Sequence, residues 1–318
     1  LENGLPCGQK HGIKPFLYVN VFQEVFMLVK NEIGTSVQGV VPVIFDVDGN
    51  LLDTERNQYI FYHDALVSIF KQQPDVLAKI EHHIPCNEQG QLWYIRNLMG
   101  KPKEHKAIIS KYFAPVSDDD MRFISSYVDY RIMEETSPNS ICPGVEEMLQ
   151  ELSENPAVEV YLVSGGSRVC IQVELERSGL IKYVKPENVY TAETYVGNKK
   201  EKVKDIMLAH NVTPDLMLMS GDGIRDMQAT QDVCGGMKVY AIGNLGLSGQ
   251  SKDANVVRAQ REMLFANGAD EVVTVNEFKN AVLKKVDVLV GKMRQKQLES
   301  QNAMFLFRML ECGKENGR

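Results

Sequence analysis

No stretch of this sequence reaches the roughly 18 consecutive apolar residues of a membrane-spanning helix. The nearest, FLYVNVFQEVFMLV at 16–29, is interrupted by Asn20, Gln23 and Glu24. Lys10 and Lys14 precede it, but those interruptions and the lack of a small-residue cleavage site argue for an amphipathic helix rather than a signal peptide. Basic residues are in deficit. The net charge of −7 argues against nucleic acid as the main partner. The six cysteines (Cys7, Cys86, Cys142, Cys170, Cys234, Cys312) include no CxxC pair and are too scattered for a disulfide framework. Reduced thiols in a cytoplasmic protein are expected. The histidines have no metal-ligand spacing, and the chain contains neither an internal repeat nor a low-complexity segment.

What is present is an ordinary globular composition, 44% apolar and 24% charged over 318 residues, enough for one large domain or two smaller ones. Residues 1–40 read as an N-terminal extension, partly helical over 16–33 and closed by the turn cluster GTSVQG. The β-branched run Val40–Phe45 suits a central parallel strand. From 55 to 136 apolar residues recur at helical spacing (Tyr59, Tyr62, Leu66, Ile69), broken at Pro74, Pro85, Pro102 and Pro115, with no strand signal. After SPNSICPG at 137–144, strands and helices alternate: strands at 158–163, 188–191, 215–220, 237–242 and 271–275, and helices at 167–178, 200–210, 224–232 and 255–266. Such alternation predicts an α/β fold, a Rossmann-like three-layer parallel sheet core formed by 41–54 and 137–275, with 55–136 inserted as an α-helical cap. Residues 276–318 read as a C-terminal helical extension, with Val282, Val286, Leu289 and Met293 on one face. Its basic character fits either a solvated helix packed on the body or a partner-binding helix.

Four segments place chemistry at strand ends, where ligands of an open parallel sheet bind. VIFDVDGNLLD ends a strand in Asp46 and Asp48, two carboxylates that repel unless a cation or shared proton lies between them. A hard divalent ion such as Mg²⁺ meets that need. LVSGG at 162–166 offers the Ser164 hydroxyl and backbone amides before a helix, the makings of an anion site. GNKKEK at 197–202 sets Lys199 and Lys200 at a helix start, against the helix dipole, which makes sense if one of them meets an anion. SGDGIRD at 220–226 ends another strand in Asp222 and Asp226. Metal-binding carboxylates, a hydroxyl, a lysine and free amides are the inventory of phosphoryl transfer, and one carboxylate is available to attack phosphorus.

DVDGNLLD, LVSGG, a lysine opening a helix and GDGIRD, in that order, resemble the four motifs of the haloacid dehalogenase superfamily. The likeness spans about 41–275 and is strongest to the phosphatase branch with a helical cap inserted after the first motif. It does not separate phosphoserine-phosphatase-like from phosphoglucomutase-like members. The resemblance implies Asp46 as nucleophile and Mg²⁺ ligand. It makes Asp48 the general acid/base and, through its carbonyl, a metal ligand. Ser164 and the Gly165 amide would hold the phosphoryl group, with Lys200, preferred over Lys199, as the neutralising lysine. Asp222 would bind Mg²⁺ and Asp226 support it. Asn50 stands where the family usually has Thr or Val. Asp48 itself favours phosphomonoester chemistry, since dehalogenases have no alkoxide to protonate. The expectation is a Mg²⁺-dependent phosphatase of a small phosphorylated metabolite. The alternatives are a phosphomutase of the same fold or a binding protein with a vestigial site. Glu55 is the favoured substrate contact in the cap, with Arg56, His63, Trp93, Tyr94 and Arg96 as further candidates.

Overall fold

The computed structural model describes residues 39–54, 57–99, 101–193, 198–246 and 253–315. The helix expected over 16–33, and both Glu55 and Arg56, lie outside them. Strand β1 (Val41–Phe45) is buried along its whole length, which explains its unbroken apolar, β-branched texture. The chain then runs through five helices: α1 (Gln58–Ile69), α2 (Pro74–His83), α3 (Glu88–Asn97), α4 (His105–Tyr112) and α5 (Asp118–Glu135). The starts of α2, α3 and α5 are written in sequence. Pro74 sits where a helix needs no N–H donor, Asn87 accepts from Gln89 and Gly90, and Ser117 and Asp120 form a reciprocal capping box. These helices enclose their own apolar core, which includes Phe61, Leu66, Ile80, Ile84, Leu98, Ile109 and Ile124.

From residue 145 strands and helices alternate: α6 (Val145–Glu154), β2 (Val158–Val163), α7 (Arg168–Ser178), β3 (Val189–Tyr190), α8 (Lys199–His210), β4 (Leu218–Gly221), α9 (Ile224–Ala229), β5 (Tyr240–Asn244), α10 (Ala254–Ala266), β6 (Glu271–Val273) and α11 (Val275–Glu315). Among the described residues the sheet is parallel throughout, in the order β3-β2-β1-β4-β5-β6. β1 therefore lies between β2 and β4, at the point where the winding reverses and a crevice opens beyond the strand ends. No helix among the described residues is long and apolar enough to cross a membrane.

Three of the boundaries that differ from the sequence reading do so for a clear local reason. The strand expected from 215 begins at Leu218, because Pro214 starts a 3₁₀ turn over Pro214–Leu216. The helix expected to 232 stops at Ala229, and Asp232 turns into the left-handed region at φ 46°. Gly235 and Gly236, at φ 56° and 83°, then carry a tight turn closed by a Cys234–Met237 bridge, so the strand expected at 237 begins at Tyr240. In the terminal helix, Val275, Phe278, Val282, Val286, Leu289 and Met293 belong to the main sheet core.

The two chain segments joining the helical block to the sheet run side by side. Leu52 bridges Ile141, the Asp53 amide donates to Ser140 O at 2.6 Å, and the Cys142 amide donates to Leu51 O at 3.0 Å. The helical block also rests on the sheet layer at α10, whose Val256 is fully buried within the block's core.

Candidate active site

Asp46 follows the last residue of β1, and its amide donates to Ser220 O of β4 at 2.9 Å, which fixes the carboxylate at the sheet edge. Beyond it the chain folds on itself. The Val47 carbonyl accepts from the amides of Leu51 and Leu52 at 2.9 and 3.1 Å. Gly49 takes φ 71°, and a Cβ there would stand 2.2 Å from Asp222 Oδ2. Only glycine meets both demands, a left-handed turn and contact with the neighbouring carboxylate.

Asn50, the departure from the family pattern, ties this turn to two other strands. Its amide nitrogen donates to Asp46 O at 3.0 Å and Ser220 O at 3.3 Å, and its side-chain oxygen accepts from Ser220 Oγ at 3.1 Å. Asn244 at the end of β5 donates to Asn50 O at 3.0 Å. Every one of these groups is buried, so each bond satisfies a donor or acceptor that water cannot reach.

The lysine that meets the carboxylates is Lys199, not Lys200. Lys199 Nζ lies 2.6 Å from Asp46 Oδ1 and 2.5 Å from Asp226 Oδ1, in the interior. Lys200 points instead toward Asp232, 3.9 Å away. The cause is a cap one residue earlier than expected. Asn198 accepts from the Glu201 amide at 3.2 Å, so α8 opens at Lys199. A side chain in the first turn leans back toward the helix start and hence toward the strand ends, and the next residue is rotated about 100° away.

Asp222 follows β4, and Asp226 sits in the first turn of α9. Asp226 Oδ2 accepts from the Gly223 amide at 3.0 Å while Oδ1 takes Lys199, so both its oxygens are occupied. Gly221 allows the approach, since a Cβ there would lie 2.4 Å from the Asp226 side chain. Oxygens of Asp46, Asp222 and Asp226 come within 4.8 Å of one another. Asp46 Oδ1 is buried, with the Lys199 ammonium 2.6 Å away. Burial, and then the charge of Asp226, push the Asp46 carboxyl up to about 7, with Lys199 pulling the other way. On Lys199 burial acts downward, and the charges of Asp226 and Asp46 overcome it to hold the ammonium protonated.

Asp48 is also pushed above the ordinary carboxylate range, chiefly by burial. Thr54 Oγ1 donates to Asp48 Oδ1 at 2.6 Å, a contact the sequence reading missed. Ser164, after β2, is buried; its Oγ accepts from the Gly166 amide at 2.9 Å, which shapes the turn into α7. Gly165 has no side chain to fill the space where the Arg225 guanidinium lies, 3.1 Å from an imagined Cβ.

These groups line one cavity of about 190 Å³, closed from the other side by the helical block. Gln58, Tyr62, Tyr94, His105 and Asp129 face it from four helices. His105 Nε2 lies 2.8 Å from the Leu98 carbonyl and so carries the proton, leaving Nδ1 to accept from the Tyr62 hydroxyl at 3.0 Å. Burial lowers the His105 pKa, a backbone bond to Leu98 opposes that, and Arg225 lowers it further. Of the cap candidates that lie among the described residues, Tyr94 alone lines this cavity. Trp93 packs among His83, Tyr112 and Phe113, His63 is held between Asp64 and Glu81, and Arg96 lines a separate cavity.

The sequence pattern of the family described as haloacid dehalogenase-like hydrolase matches residues 43–242, well over half of the chain. This chain belongs to that family. Solved structures agree on the hydrolase fold. A conserved haloacid dehalogenase-like protein from Agrobacterium tumefaciens superposes with a TM-score of 0.56 at 18% identity, covering 78% of this chain and 99% of its own. A predicted phosphoglycolate phosphatase from Haemophilus somnus gives 0.52 at 12% identity, over 77% of this chain and 98% of its own. A hydrolase from Pseudomonas syringae gives 0.50 at 20%, over 77% and 98%. At such identities the hydrolase shares a fold with them, and the likeness says nothing about its substrate. No curated protein matches the sequence.

Proposed function

We propose that this hydrolase is a Mg²⁺-dependent phosphatase that splits a small phosphomonoester through an aspartyl-phosphate on Asp46. The observation that carries the reading is the cluster at the strand ends: carboxylate oxygens of Asp46, Asp222 and Asp226 lie within 4.8 Å of one another, with the Lys199 ammonium against two of the three residues. An all-oxygen donor set of converging carboxylates fits a hard divalent cation. Asp46, Asp222 and the Asp48 carbonyl would hold it, with Asp226 behind them. When bound, Mg²⁺ offsets the carboxylate repulsion and the charge of the phosphoryl oxygens.

The chain's own groups have separate tasks. The Asp46 carboxylate attacks phosphorus as the bond from phosphorus to the leaving oxygen breaks. Lys199, held by Asp46 and Asp226, keeps a fixed positive charge against that group, and the Ser164 hydroxyl and Gly165 amide face the phosphoryl oxygens. Asp48, protonated more readily than an exposed carboxyl, gives its proton to the leaving alkoxide. Thr54 fixes the orientation of that carboxyl. Asp48, now ionised, then takes a proton from the water that attacks the aspartyl-phosphate, releasing inorganic phosphate and restoring Asp46. The cap over the cavity favours small substrates and limits stray water.

The test is hydrolysis of p-nitrophenyl phosphate with and without Mg²⁺. Turnover should require the ion and be abolished in Asp46→Asn, with an unchanged circular dichroism spectrum. Wild-type rates in that variant would contradict the mechanism.

A further inference from the structure

Among the described residues two cations line the cavity, and they differ in what they face. Lys199 is committed to Asp46 and Asp226. Arg225 has neither an ion-pair nor a hydrogen-bond partner among the described residues, and it is exposed to the cavity. Its guanidinium lies over Gly165, at the edge of the Ser164–Gly166 turn, and its charge is felt at His105 on the cap side. Asp129 of the helical block lines the same cavity, its carboxyl pushed up chiefly by burial and then by the charge of Asp48. Gln58, Tyr62 and Tyr94 add neutral hydrogen-bonding groups to the wall, and Met99 and Ile132 add apolar ones. Arg225 sits one residue before Asp226 in the first turn of α9, so the fold that positions Asp226 also brings Arg225 to the cavity wall.

We propose that Arg225 is a specificity residue that receives a second anionic group on the leaving part of the substrate, so that the preferred substrate is a short phosphomonoester carrying a carboxylate or a second phosphate. This rests on the phosphatase reading above. The transferring phosphoryl group has Lys199, the Ser164 turn and the cation site for its charge. A planar guanidinium with five donors and no partner is suited to a two-pronged bond with a carboxylate or phosphate. A cavity of about 190 Å³ has room for a phosphoryl group and a short leaving group. An anion on that leaving group would meet the Arg225 guanidinium, which lines the same cavity.

The experiment compares kcat/KM for three matched probes, ethylene glycol monophosphate, phosphoglycolate and ethylene glycol bisphosphate, with p-nitrophenyl phosphate as a control. Wild type should prefer one or both of the anionic probes over the monophosphate by at least about tenfold, the scale of a charge-assisted hydrogen bond. The two anionic probes show whether a carboxylate or a phosphate is preferred. In Arg225→Gln that ratio should collapse toward unity, and Arg225→Lys should restore part of it. Arg225 is exposed, so the variants should fold, as thermal melting will verify. A ratio unchanged in Arg225→Gln would overturn the proposal. So would an equal loss on all four substrates, which would put Arg225 on the transferring phosphoryl group. Absence of any Mg²⁺-dependent turnover of the control by wild type would instead remove the phosphatase reading, and this inference with it.

Discussion

Replacing Lys199 with methionine tests the electrostatic centre of the site, with Lys200→Met as the matched control one residue away. Lys199 Nζ makes contacts of 2.6 and 2.5 Å with two buried carboxylates. At an effective dielectric constant of about 20 each contact is worth about 6 kcal/mol of attraction, most of it cancelled by the cost of taking three charges out of water. The net balance of the intact group is therefore small, but removing its one cation leaves Asp46 and Asp226 facing each other without compensation. Breaking a buried pair in this way costs about 3–5 kcal/mol. Urea unfolding followed by circular dichroism should show a loss of that size for Lys199→Met, with Mg²⁺ recovering part of it. Lys200 is only loosely associated with the exposed Asp232. Lys200→Met should change stability by no more than about 0.5 kcal/mol and leave p-nitrophenyl phosphate turnover near wild type. Lys199→Arg separates charge from shape, since it retains the cation if the methionine variant does not fold. Loss of turnover in Lys200→Met with none in Lys199→Met would refute the assignment of the lysine.

Other consequences follow from the same geometry. Asn50→Val removes a donor and an acceptor that tie the Asp46 turn to Ser220 of β4, and the buried groups left behind should lower unfolding stability by about 1–3 kcal/mol. Gly49→Ala puts a Cβ against Asp222 Oδ2 in a left-handed turn. The half-saturating Mg²⁺ concentration in the activity assay should rise well above that of wild type. Proton and cation should also compete at Asp46. Its folded pKa is about 7 against 3.8 for a free aspartate. In the ion-free protein this group is stabilising at low pH, and that contribution is lost as the pH rises from about 4 through 7. Mg²⁺ should therefore raise the melting temperature more at about pH 8 than at about pH 5, and bind more weakly in acid. An equal rise at both pH values would show that Asp46 does not couple to the ion.

How far the sequence led depended on whether the determining signal was local. β1 and β2 were legible because each is a short β-branched run, and the carboxylates and Ser164 that follow stand where the backbone leaves the sheet. The stop of α8 was equally local, since Asn211 takes the left-handed conformation expected of a helix end, at φ 49°. The family resemblance favours Lys200, because Lys200-Glu201-Lys202-Val203 sits like the motif lysine of phosphoserine-phosphatase-like members, whereas the Asn198 cap decides which of the two lysines faces the strands. The strand starts at 218 and 240 were shifted by a proline-started 3₁₀ turn and a glycine pair, whose effect exceeded the apolar pattern. Of the described cap wall, the sequence pointed to Tyr94 alone. Gln58, Tyr62, Tyr94, His105 and Asp129 come from four helices and share a surface only after folding. Arg225 carried a usable signal, a cation inside the GDGIRD stretch, but attention there fell on the aspartates. Asn50 looked like a mild departure from the family pattern and is a junction of three strands.

The central claim is that Asp46 becomes phosphorylated. Rapid quenching of the enzyme during turnover, reduction with borohydride and peptide mass spectrometry test it directly, because an aspartyl-phosphate is reduced to homoserine while a free carboxylate is not. The account predicts homoserine at position 46, dependent on Mg²⁺ and substrate, and more of it in Asp48→Asn, where the water step lacks its base. Turnover with no label, or with label on another residue, would contradict it.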